Sequence, residues 1–98
     1  MISRERVSLT AAGGSASATL RDLRGRVGFF FCKAATASTT FDLAITDDQS
    51  DVVFTREGIV GELNEIGGFL IKGICTLALT NCSADEAFTF KAMVEEMA

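Results

Sequence analysis

The stretch Thr40-Phe41-Asp42-Leu43-Ala44-Ile45-Thr46 decides the fold class. Phe41, Leu43 and Ile45 alternate with Asp42, Ala44 and Thr46, and a period of two is that of a β-strand with one buried and one wetter face. The polar run Asp47-Asp48-Gln49-Ser50-Asp51 comes next, before Val52-Val53-Phe54 resumes the apolar pattern. The two apolar runs are therefore expected to pair as a hairpin. Upstream, Val7 and Leu9 alternate with Ser8 and Thr10, and the small-residue run Ser15 to Leu20 follows the turn-forming Gly13-Gly14. Val27 to Lys33 sets Phe29 and Phe31 on one side and Phe30 and Cys32 on the other, so both faces of that strand want cover. Downstream, Gly58, Gly61, Gly67 and Gly68 speak against a long helix. Ile74 to Thr80 then places Cys75, Leu77 and Leu79 on one face.

The C-terminal segment admits two readings. Ser83 and Glu86 have the spacing of a helical capping box, with Phe90, Val94 and Met97 on one helical face. Phe88, Phe90, Ala92 and Val94 also alternate with Thr89, Lys91, Met93 and Glu95, and this strand pattern is preferred. About seven short strands with turn signals between them make an all-β chain, an antiparallel β-sandwich or small jelly roll. The 98 residues, 48% hydrophobic, suffice for one core and not two, so residues 1–98 read as a single domain. Residues 1–12 are its candidate partner-contacting arm.

Composition removes much chemistry. The chain has no His, Pro, Trp or Tyr, and with them go the commonest general base, the commonest zinc ligand and the side chains that most often anchor sugars and bases. Cys32, Cys75 and Cys82 form no C-x-x-C pair, and without His no base stands ready to activate a thiol. They read as reduced thiols of a cytosolic assembly environment. Asp47, Asp48 and Asp51 lack the central Gly and closing Glu of a calcium loop and read as a solvated turn. Gly13-Gly14 and Gly67-Gly68 lack the lysine and spacing of phosphate-binding loops. No acidic pair is singled out for glycoside hydrolysis. The expectation is a protein that is not an enzyme, with no metal and no cofactor.

Charge is unevenly divided. Met1 to Lys33 carries six basic and two acidic residues, a balance of +4, and the rest carries three basic and eleven acidic, a balance of −8. Such asymmetry orients a surface once folding segregates it. The acidic whole, without Tyr or Trp among its basic residues, argues against nucleic acid. No segment approaches the roughly 20 apolar residues of a membrane span, so no membrane partner is expected.

Apolar residues exceed what so small a core requires. If Phe29 and Phe31 point inward, Phe30 points outward beside Cys32, and Phe69-Leu70-Ile71 follows two glycines as a second apolar patch. A subunit or partner interface would cover both. Phe30, Phe69, Leu70 and Ile71, with Arg4 and Arg6 on the N-terminal arm, are the candidate interface residues.

Gly14 to Leu20, the turn ending at Gly25, the strand Arg26 to Cys32, Thr39 to Asp47, Gly73 to Asn81 and the closing Phe88-Thr89-Phe90-Lys91-Ala92 together resemble small β-sandwich virion proteins of tailed bacteriophages and prophages. The resemblance lies in the order of strands and turns. It implies a capsid cement or decoration protein, or a minor head-tail protein, assembled in the host cytoplasm and resident in the virion. Its implied partners are the major capsid protein or another virion protein and further copies of itself. A small ligand- or carbohydrate-binding β-sandwich module is the alternative.

Overall fold

The computed structural model describes residues 2–20, 23–66 and 70–96. Among the described residues nine strands are formed: β1 (Ile2–Thr10), β2 (Ala16–Thr19), β3 (Leu23–Ala34), β4 (Thr40–Thr46), β5 (Val52–Val60), β6 (Glu62–Ile66), β7 (Leu70–Gly73), β8 (Thr76–Thr80) and β9 (Ala87–Glu96). They make two antiparallel sheets that face each other as a sandwich. One has the order β1-β9-β3-β6, with β7 also pairing β3, and the other has the order β2-β8-β4-β5. β6 and β7 lie in line along the same edge of β3, against residues 29–33 and 23–26 respectively.

The count exceeds the seven strands expected because the glycine-punctuated segment is itself extended. Gly61 carries the chain from β5 in one sheet to β6 in the other at φ +74, and a Cβ there would collide with the Ala37 carbonyl. Only glycine meets both demands. The N-terminal segment belongs to the sandwich. Ile2 to Thr10 pairs with β9 along its whole length, as an edge strand rather than a free arm, and Ala11 is buried.

Alternation elsewhere turns the expected residues inward. Phe41, Leu43 and Ile45 of β4, Cys75 with Leu77 and Leu79 of β8, and Phe88, Phe90, Ala92 and Val94 of β9 are all buried. The C-terminal segment is a strand, as its period of two requires. Phe41 and Phe88 meet edge to face, with centroids 5.0 Å apart, across the two sheets. Glu86 is buried as well, and its Oε2 accepts a hydrogen bond from the Thr36 backbone N–H at 2.7 Å, tying the β3–β4 loop to the turn before β9.

Strand β3 contains the correction that matters most. Its register with β9 slips between Val27 and Phe29, so Gly28 is the extra residue of a β-bulge. One extra residue exchanges the faces of everything beyond it. Val27 points inward, and so do Phe30, Cys32 and Ala34, while Phe29 and Phe31 turn outward. Phe30 is fully buried, in edge-to-face contact with Phe54 at 4.9 Å and 5.9 Å from the Phe90 ring.

Candidate interaction surface

The bulge and the pairings of β9 assemble one surface, the outer face of the β1-β9-β3-β6 sheet. Two rows cross it in register. Arg6, Lys91, Phe31 and Asn64 form one, and Arg4, Met93, Phe29 and Ile66 form the other. Phe29 is 36% exposed, Ile66 86% and Leu70 62%. The Phe29 and Phe31 rings lie 6.2 Å apart, tilted at 52°, and Lys91 Nζ stands 5.7 Å from the centre of the Phe31 ring. Between them opens a groove of about 410 Å³ with Phe29, Phe31 and Met93 along its floor and Arg4, Arg6 and Lys91 around it. None of the described residues that line it is acidic.

The charge asymmetry of the sequence becomes spatial here, because both basic segments, β1 and β3, lie in this sheet with only β9 between them. Among the described side chains the outer face carries Arg4, Arg6, Arg26, Lys33 and Lys91 against Glu62 and Glu95, a balance of +3. All other charged residues of the sequence sum to −7, which with this +3 gives the total of −4. A second shallow groove of about 440 Å³, between Thr10, Ser15, Ser17 and Thr80, is lined by neutral side chains.

Of the residues proposed from sequence, Arg4, Arg6 and Leu70 are exposed on this sheet. Phe30 and Ile71 are core residues and present no surface; the Gly28 bulge accounts for the first, and the pairing of Ile71 with the buried Gly25 accounts for the second. Phe69 lies outside the described residues. Phe29, Phe31, Ile66, Lys91 and Met93 were missed. An isolated glycine opening an aromatic strand is the signal that would have found the first two.

The acidic pole is built differently. Asp47 Oδ1 accepts the backbone N–H groups of Gln49 and Asp51, both at 2.9 Å, which leaves Asp48 and Asp51 as the exposed carboxylates of the β4–β5 tip, beside Val52 at 60% exposure. Asp42 accepts from the Gly58 N–H and from Asn81 Nδ2, and these bonds hold its carboxyl below the usual 3.8. Among the described residues no three His, Cys, Asp or Glu side chains gather as a metal site. Burial pushes the Cys32 thiol up to about 12, far from the thiolate a nucleophile requires.

No family model matches the chain, and no curated protein matches it in sequence. Among solved structures it is similar to FLHE, at 12% identity over 98% of this chain and 97% of that one, with a TM-score of 0.44. It is also similar to the Yersinia pseudotuberculosis-derived mitogen, at 11% identity over 100% of this chain and 89% of that one, TM-score 0.49. A chain of the infectious bursal disease virus Gx strain is similar at 10% identity over 97% of this chain and 32% of the viral one, TM-score 0.42.

Proposed function

We propose that this chain is a phage virion structural protein that works by contact rather than catalysis, cementing or decorating a capsid through the outer face of its β1-β9-β3 sheet. The observation that carries the reading is the outward apolar strip of exposed Phe29 and Ile66 and half-buried Phe31 and Met93 within a cationic face. Burying a fully exposed side chain of this size is worth roughly 1.5–3 kcal/mol; Phe29, at 36% exposure, offers about a third of that and Ile66, at 86%, most of it, so a partner that closes over this strip gains affinity. The surrounding cations select an acidic partner surface and speed its approach. The resemblance of its strand-and-turn order to phage virion proteins supports the same role, as does a Cys32 thiol held protonated by burial.

Cosedimentation with empty shells of a tailed-phage major capsid protein tests the reading. The protein is expected to pellet with shells and to release as salt rises, because exposed charges are screened. A protein that stays in the supernatant at low salt is no decoration protein. The groove favours a second reading, a small-ligand-binding module, since its volume falls within the roughly 300–1,000 Å³ of ligand sites. Saturable binding of an amphiphilic organic anion without shell binding would favour it over the first.

A further inference from the structure

The cationic groove has a complement on the same molecule. Among the described side chains the outer face of the β1-β9-β3-β6 sheet carries +3, and all other charged residues of the sequence sum to −7. A two-fold contact of this face with itself would set a net +3 of described side chains against the same +3, which like-charge repulsion opposes. A contact between this face and a different surface of another copy sets opposite signs together. The β4–β5 tip supplies the matching chemistry: two exposed carboxylates, Asp48 and Asp51, and an exposed aliphatic side chain, Val52. The groove presents the inverse, Arg6 and Lys91 beside the rings of Phe29 and Phe31.

We propose that the groove receives the β4–β5 tip of a second copy of this chain, with Asp48 and Asp51 against Arg6 and Lys91 and Val52 against the Phe29 and Phe31 rings. The contact is heterologous, so each copy offers one groove and one tip, and repetition gives a closed ring or an open chain. The inference rests on the surface-contact reading and adds that, away from a shell, the groove a capsid surface would cover is covered by a neighbouring copy.

Sedimentation velocity of the full chain over a range of concentrations tests it, with circular dichroism confirming that each variant folds. Wild type is expected to associate. Arg6→Glu with Lys91→Glu reverses the groove, Asp48→Lys with Asp51→Lys reverses the tip, and each double variant alone is expected to associate at least about tenfold more weakly. Mixing the two restores association, because a reversed groove then meets a reversed tip and a native groove a native tip. Phe29→Ser weakens association without altering charge. A wild type that stays monomeric throughout, a double variant that associates as wild type does, or a mixture that remains monomeric overturns the proposal. Shell binding that survives in such a monomer removes this inference and leaves the capsid-binding reading standing. Self-association without shell binding does the reverse.

Discussion

Phe29 and Phe30 are neighbours in sequence with opposite fates, and truncating each to alanine measures the Gly28 bulge directly. Phe30 is fully buried between Phe54 and Phe90. Its truncation removes a buried ring and leaves a cavity between the two sheets, a change that costs about 3–5 kcal/mol. Against a total stability of about 5–15 kcal/mol, that is a large share. At about 4–8 °C per kcal/mol for a domain of this size, the midpoint should fall by roughly 12–40 °C. Phe29 is 36% exposed and contacts Phe31 across the surface, so Phe29→Ala should cost about 1 kcal/mol or less. Thermal melts followed by far-ultraviolet circular dichroism suit a chain without Trp or Tyr. If Phe30→Ala melts within a few degrees of wild type while Phe29→Ala collapses the fold, the bulge does not shift the faces and the surface assembled from Phe29 and Phe31 does not exist.

Two further outcomes follow from local geometry. Gly61→Ala should destabilise more than Gly13→Ala in urea titrations: both have positive φ, which costs roughly 1–3 kcal/mol, but only at Gly61 does the new Cβ also strike backbone, whereas at Gly13 it meets open space. Equal costs would mean that the β5–β6 crossover is looser than described. Cys32 should make stability fall at alkaline pH, because its thiol ionises near 9.0 when unfolded and near about 12 when folded. The raised folded value leaves stability intact below pH 9, and it is lost progressively as pH rises toward 12. Cys32→Ala is expected to be less stable at neutral pH yet flatter across that window, and an unchanged slope would refute the assignment.

Strands with unbroken alternation were legible in the sequence. Phe41 to Ile45, Cys75 to Leu79 and Phe88 to Val94 bury the side their period predicts, because a regular pleat leaves no other choice once a core exists. The hairpin of β4 and β5 was legible for the same reason. Phe30 was not, since period counting carries an inward assignment straight through Gly28, where the backbone inserts an unpaired residue. Strands β6 and β7 were hidden by glycines that serve as turns and crossings between extended segments rather than as interruptions of structure. Ile71 looked like surface because it follows Phe69 and Leu70 in an apolar run, yet alternation along β7 sends Leu70 out and Ile71 in. The charge division was visible as a difference between two lengths of chain. Its meaning depended on β1 and β3 flanking the same strand, which the sheet order decides and the local pattern does not.

The proposed working surface, the outer face of the β1-β9-β3 sheet, is tested by shell cosedimentation of Phe29→Ser combined with Phe31→Ser. Both rings leave the surface while Phe30 and the core remain. The double variant is expected to keep its circular dichroism spectrum and melt close to wild type, yet to remain in the supernatant under conditions in which wild type pellets. A folded double variant that pellets as completely as wild type would contradict the claim.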